Sequence, residues 1–304
     1  MFFSIVIPVY NREKLISETI KSVLKQSFTS FELILIDNCS TDKTIEIINS
    51  FLDERIILLQ NERNFERCYS RNRGIQFSSG KFILLMDSDD LIEINHLQSW
   101  YDFLNKKNSK KECIYISDKK ILKGDVCTIQ VNPLFIDNPV RYFFLNPVIP
   151  GQVCVSSEIL KKYIFKDEFL IFEDAALWME MALKNNVEFN HIDSFIYRLH
   201  DDNSVNEQVN NAFYLRLQSI RLLLKDKKFK KHLSNKVIRF SKNACYKGII
   251  RYHRVNSNFR VRFKWVFLSI LLYPEYNFKN KLLIFLDCFP LFSRMLALQK
   301  KNIY

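Results

Sequence analysis

The residues best suited to chemistry stand in one short stretch, Asp87-Ser88-Asp89-Asp90, directly behind the apolar run Phe82-Ile83-Leu84-Leu85-Met86. Carboxylates this close repel one another unless a cation holds them. Asp87 and Asp89, two positions apart, project to the same side of an extended segment. Two hard oxygen ligands suit Mg2+ or Mn2+, which take further oxygens from a substrate's phosphates. The alternative is an acidic turn that caps a following helix, expected over Ile92 to about Asn105. Capping is the role expected of Asp90. A second pair, Glu173-Asp174, opens an amphipathic helix expected to run to about Lys184. There the helix dipole would keep a carboxylate ionised and able to accept a proton, or the acids would simply favour the dipole.

The elements that position these residues are legible from periodicity. Residues 3–9, 31–36, 55–59 and 81–86 read as buried strands, with helices expected over Glu13–Lys25, after Ser40 or Thr41 as cap, and over Asn64–Phe77. Strand-helix alternation predicts a mostly parallel α/β sheet with right-handed crossovers, in which ligands bind at the carboxyl ends of strands. No strand is followed by GxGxxG or GxxxxGK[ST], so a dinucleotide dehydrogenase or P-loop enzyme is excluded. Past Asn105 the rhythm breaks: a lysine loop at 106–111, short strands Ile114–Ser117 and Val126–Val131 around Lys123-Gly124-Asp125, and a proline-punctuated section. A single strand, Phe189–Leu199, is expected to end in Arg198-Leu199-His200.

In their order and spacing these motifs resemble the family 2 glycosyltransferases, which have the nucleotide-sugar-binding GT-A fold. The resemblance rests on Ser4-Ile5-Val6-Ile7-Pro8-Val9-Tyr10-Asn11, Ile36-Asp37-Asn38-Cys39-Ser40-Thr41-Asp42, Ser70-Arg71-Asn72-Arg73-Gly74, Asp87-Ser88-Asp89-Asp90 and Glu173-Asp174. It covers about residues 3–204 and implies inverting transfer of a sugar from a nucleoside-diphosphate donor to a hydroxyl of a glycan or lipid-linked acceptor. Asp174 would be the general base and Glu173 its partner. Donor binding would fall to Pro8, Tyr10, Asp37, Asn38, Arg71, Asp87, Ser88 and Arg198. The divalent ion, Mg2+ or Mn2+, would sit chiefly on Asp89, with Asp87 and His200. Tyr10 would stack on the base. Asn38 stands where the family often has a second acid on the uracil imide, so uridine is the expected base and deoxythymidine the alternative. Cys39 stands where the family usually has Gly, a difference read as a packing detail.

Charge divides the chain. Residues 1–204 carry 24 Lys and Arg against 29 Asp and Glu, net −5, while residues 205–304 carry 21 against 4, net +17. A GT-A domain over 1–204 and a basic, mainly helical region over 205–304 are therefore expected. The second region holds a helical pattern at Asn211–Leu224 and a lysine cluster, Lys225–Lys231. The run Trp265–Tyr273 is flanked by Arg260, Arg262 and Lys264, and Lys281–Leu298 carries Pro290. Neither run reaches the length a bilayer span needs, so an anionic membrane surface is the expected partner. Solubilising lysines on packed helices are the plainer alternative.

No nucleic-acid partner is expected, because no recognised nucleic-acid motif appears. A nucleotidyltransferase, or a non-catalytic nucleic-acid or membrane-binding module on a nucleotide-binding fold, are the competing readings. The former usually has a glycine-rich loop after its first strand, where this chain has Val9-Tyr10-Asn11-Arg12-Glu13. Seven cysteines without a CxxC pair predict free thiols in a reducing compartment. The amino terminus reads as a strand without a signal peptide. Together these predict a cytoplasmic protein, peripheral on the inner face of the membrane.

Overall fold

The computed structural model describes residues 1–106, 113–169, 171–200, 203, 212–255 and 263–267. The expected boundary at 204/205, the lysine loop from 107 onward, residues 268–273 of the apolar run and the segment 281–298 lie outside them. The chain forms two compact units, one of residues 1–168 and 173–200, the other of 169–172 and 201–304.

The first unit begins with β1 (Phe3–Val9), α1 (Ile16–Leu24), β2 (Phe31–Asp37), α2 (Thr44–Asn49), β3 (Ile56–Gln60), α3 (Glu66–Phe77) and β4 (Phe82–Leu85). It continues through β5 (Leu91–Ile92), α4 (His96–Lys106), β6 (Cys113–Ser117), β7 (Lys119–Lys123) and β8 (Val126–Gln130). There follow α5 (Pro139–Leu145), β9 (Val153–Ser156), α6 (Ser157–Leu160), α7 (Glu173–Ala182), β10 (Asn186–Asn190) and β11 (Phe195–Leu199). The main sheet runs β10-β6-β9-β4-β1-β2-β3, and β3, β2, β1 and β4 are mutually parallel. β1, β2 and β4 are apolar almost throughout because helices cover both faces of a parallel sheet. Ile16, Ile20 and Val23 of α1 join Phe3, Ile5 and Leu33 in the core.

The main sheet is mostly parallel, as expected, with β9 set antiparallel to both β4 and β6. Other expectations need correction. The expected strand 189–199 is two strands, β10 in the main sheet and β11 in a second sheet ordered β5-β11-β7-β8. The break at His191–Ser194 lets the chain cross from one sheet to the other. The hairpin at Gly124 (φ 56°) joins β7 to β8, and β7, masked by its lysines, is a strand the periodicity missed. Residues 91–92 form β5, so the following helix starts only at His96. Ser40 and Thr41 do not cap α2. They bind Asn11, while Asp42 Oδ1 accepts from Thr44 N at 3.0 Å.

The second unit contains α8 (Ala212–Leu223), α9 (Lys227–Lys230) and α10 (Asn235–Val255). Trp265 is buried there against Tyr214 and Tyr246, with ring centroids 5.3 and 5.4 Å away. That corrects its expected place in a membrane interface; Phe263 and Phe267 are the exposed aromatics of the segment. No helix among the described residues is long and apolar enough to cross a membrane.

Candidate active site

The parallel strands β2, β1 and β4 end side by side, and their carboxyl ends carry Asp37, Tyr10 and Asp87. The helix between β3 and β4 contributes the residue that gathers the acids. Gly74 lets α3 lie tight on the sheet, because a Cβ there would stand 2.4 Å from Val6 Cγ1 and 2.6 Å from Ile36 Cδ1. One turn earlier, Arg71 is buried, 2% exposed, and its guanidinium turns to the strand ends. Nη2 meets Asp87 Oδ1 at 2.7 Å; Nη1 meets Glu173 Oε1 at 3.2 Å and Asp174 Oδ1 at 3.0 Å. Arg71, expected at the donor, is here enclosed by protein carboxylates. Three carboxylates from β4 and α7 thus converge on one cation.

The electrostatics follow from the burial. Desolvation opposes charge on Arg71, but Asp174, Asp87 and Glu173 outweigh it and raise its pKa further. Asp174, 23% exposed, is pushed up to about 8, first by burial and then by Glu173 and Asp87, against the pull of Arg71. This corrects the expectation that the dipole of α7 keeps it ionised. A partial charge at a helix end cannot outweigh desolvation beside two further acids.

Asp89 and Asp90 separate clearly. Asp89 Oδ2 lies 3.0 Å from His200 Nε2 and 3.4 Å from Arg12 Nη2. Asp90 is 1% exposed; its Oδ1 accepts from Arg198 N at 3.1 Å, and Oδ2 is buried without a hydrogen-bond partner. Burial, then Asp87 and Asp89, raise its pKa well above the carboxylate range. It leads into a strand, so the expected helix cap is corrected to a buried anchor for β11. Arg198 grips the same loop: Nε donates to the Asp89 carbonyl, Nη1 pairs with Glu18, and Nη2 reaches Thr19 Oγ1 at 3.1 Å. Thr19 Oγ1 in turn donates to the Ser88 carbonyl at 3.1 Å. In this arrangement Arg198 is a clamp on the acidic loop, facing protein groups in place of the expected donor.

On the other side of β1, Tyr10 is 42% exposed and presents its ring at the strand end beside Pro8. Asp37 Oδ2 accepts from Cys39 N and Ser40 N, both at 3.1 Å, and shapes the turn in which Cys39 takes φ 67°. That positive φ lies in the left-handed region, which glycine adopts most readily and Cys39 adopts here, so the difference read as a packing detail is one of backbone conformation. Asn38 is 4% exposed. Its oxygen accepts from Asn61 Nδ2 (2.9 Å) and Phe65 N (3.0 Å), and its amide donates to Asn64 Oδ1 at 2.6 Å. Both lone pairs of the oxygen are thereby engaged, so the contact to a base imide expected of Asn38 is not open in this state. Arg12, Glu18 and Thr19 were missed by sequence reasoning. Nothing in a lone Arg after Tyr-Asn, or in a Glu-Thr pair on a helix, marks them before the strands are aligned.

Among the described residues no group of three or more His, Cys, Asp or Glu side chains is arranged to hold a metal ion by itself. The carboxylate of Asp89 and the imidazole of His200, 3.0 Å apart, are nonetheless a donor pair suited to Mn2+ or Mg2+, which complete their shells with water and phosphate oxygens.

An acidic cleft at the carboxyl ends of a mainly parallel sheet, with a smaller sheet beside it, defines the GT-A class. Residues 4–119 match glycosyl transferase family 2. Over 77% of this chain and 82% of the relative, it is 28% identical to the uncharacterized glycosyltransferase MJ1057 of Methanocaldococcus jannaschii. It is 40% identical to the UDP-Glc:alpha-D-GlcNAc-diphosphoundecaprenol beta-1,3-glucosyltransferase WfgD of Escherichia coli, over 34% of this chain and only 42% of that protein. Several relatives are matched, like this one, over less than two thirds of their length. Among solved structures, S. aureus TarS 1-349 in complex with UDP-GlcNAc superposes with TM-score 0.61 at 18% identity, covering 95% of this chain and 81% of that one. The mannosyltransferase PcManGT of Pyrobaculum calidifontis, in complex with GDP-Man and Mn2+, gives 0.57 at 12% identity, covering 99% and 87%.

Proposed function

We propose that the chain transfers a sugar, with inversion, from a nucleoside-diphosphate donor, uridine first, to a hydroxyl of a glycan or lipid-linked acceptor. The observation that carries this reading is the convergence of Asp87, Glu173 and Asp174 on buried Arg71, beside Asp89. TarS with UDP-GlcNAc and the donor and acceptor in WfgD's name support uridine and a lipid-linked acceptor. PcManGT with Mn2+ supports the ion.

In this reading Tyr10 stacks on the base, a contact worth roughly 1–3 kcal/mol. Asp87, held by Arg71, faces the ribose side of the donor. Asp89 and His200 would hold Mg2+ or Mn2+, which when bound offsets the charge of the departing diphosphate. Arg71 fixes Asp174 Oδ1 and leaves its carboxylate turned to the partly open side. Asp174 takes the proton of the acceptor hydroxyl, the oxygen attacks the anomeric carbon, and the bond to the diphosphate breaks on the opposite face. Glu173, buried on Arg71 and 3.5 Å from Arg67, sets the orientation of its neighbour. Residues 205–304, net +17, would hold the enzyme to an anionic membrane surface.

A panel of UDP-, dTDP- and GDP-sugars, each assayed with Mn2+, Mg2+ or chelator, tests the reaction. Slow metal-dependent hydrolysis of one uridine sugar is expected; turnover of none, with no binding, would remove the enzyme reading.

A further inference from the structure

Arg12 is the cation of this cleft with the least settled surroundings. Its backbone is tightly held: N donates to Thr44 Oγ1 at 2.7 Å, and the preceding Asn11, at φ 48°, is pinned by Ser40 Oγ and Thr41 N. Its guanidinium is not. Among the described residues, Nη1 reaches the Asn11 carbonyl at 3.4 Å, Nη2 reaches Asp89 Oδ2 at 3.4 Å, and Nε is buried with no hydrogen-bond partner. Arg71, by contrast, makes three ion pairs at 2.7 to 3.2 Å. A fixed stem with an under-used planar fork is an arrangement suited to a bidentate anion. The anion this site would receive, on the reading above, is the donor's diphosphate, with Asp89 and His200 as the residues that would hold its divalent ion.

We propose that Arg12 is a diphosphate ligand that, before the donor arrives, occupies Asp89 in place of the divalent ion. Ion and guanidinium compete for the same Oδ2, because like charges repel at that range. When ion and donor enter together, Arg12 shifts a few ångströms onto the phosphate oxygens, where Nε and Nη can both donate. The ion alone is therefore held weakly and the ion with its diphosphate tightly, so the metal site is completed by the donor. This rests on the proposed function and adds to it a residue and an order of binding.

The test is calorimetry on the full chain, with Mn2+ alone and then with inorganic pyrophosphate or UDP in saturating Mn2+, for the parent, Arg12→Gln, Arg12→Lys and Asp89→Asn. Arg12→Gln is expected to bind Mn2+ alone about threefold or more tighter, as a competing charge is gone. It should bind pyrophosphate and UDP about tenfold weaker, the loss of a charge-assisted pair. Arg12→Lys should regain the competition but not the forked contact. Unchanged melting temperature of Arg12→Lys controls for folding, since the Thr44 bond uses only backbone. Tighter Mn2+ with unchanged pyrophosphate binding would make Arg12 a fixed counter-ion and overturn the proposal, as would unchanged Mn2+ affinity. If Asp89→Asn loses Mn2+ and UDP while the Arg12 variants match the parent, the donor reading stands and this one falls. A parent that binds neither nucleotide nor pyrophosphate with Mn2+ defeats both.

Discussion

At the scale of single residues, the two ends of the acidic cleft have separable jobs. Asp89 faces the Arg12 guanidinium and the His200 imidazole, whereas Asp174 shares Arg71 with two other acids. Asp89→Ala is therefore expected to abolish metal-dependent donor binding. Asp174→Asn should keep donor affinity and lower kcat by roughly 10²–10⁴, the range of a lost general base. Calorimetry against a stable donor and single-turnover rates separate the two; lost donor affinity in Asp174→Asn would contradict the division. The same carboxylate sets a pH dependence. Its pKa in the free protein is raised to about 8 by burial, and a base works deprotonated. Hence kcat/KM should rise with pH through that region and fall on the acid side. An acid limb confined to pH 4–5 would place the base elsewhere.

Element by element, the site depends on how closely α3 approaches the sheet. Gly74 is the contact point, and Arg71 lies on the same helix three residues before it. Gly74→Ala puts a methyl 2.4 Å from Val6 Cγ1 and 2.6 Å from Ile36 Cδ1, which must give way or push the helix off. The expected cost is about 1–3 kcal/mol, the usual price of overpacking. Because the helix carries Arg71, kcat should fall more than stability alone explains. Denaturant unfolding read beside kcat on the folded fraction checks this, and unchanged kcat would show the helix position to be uncritical. The second sheet contributes in its own way. β11 brings Arg198 under the acidic loop and His200 beside Asp89, so a strand end, and no helix, supplies the second cation-facing donor.

For the whole molecule, charge is the organising fact. Residues 1–204 carry net −5 and residues 205–304 net +17, so the proposed cation site and the proposed anionic partner fall to regions of opposite charge. With Trp265 buried, attachment to a membrane would rest on lysines such as Lys227, Lys230 and Lys231 and on exposed Phe263 and Phe267. Each basic residue near an anionic surface contributes about 1 kcal/mol, so a few suffice. The full chain should sediment with anionic vesicles, and less with neutral ones. Its binding should weaken but persist as salt rises, and drop when Lys227, Lys230 and Lys231 become Gln. Equal pelleting with neutral vesicles would set this aside, and preference for an oligonucleotide would favour the nucleic-acid reading.

Local pattern was enough for the strands 3–9, 31–37 and 82–85, the helices between them and the acids at their ends. Hydrophobic periodicity and strand-end carboxylates are written in consecutive residues. The fold class was legible for the same reason, and the family through the resemblance carried by five motifs in order and spacing. Sequence did not reveal β7, whose lysines hide its alternation, or the split of 189–199 between two sheets, since sheet membership is a long-range property. Nor could it show that Arg71 is buried, that Asn38 is bonded on both sides, or that Asp174 has a raised pKa. Those states depend on which charges and amides meet across 26 to 103 residues of chain, as in Asn38 with Asn64 and Arg71 with Asp174. Desolvation and charge pairing belong to the folded neighbourhood, and only the tertiary structure assembles it.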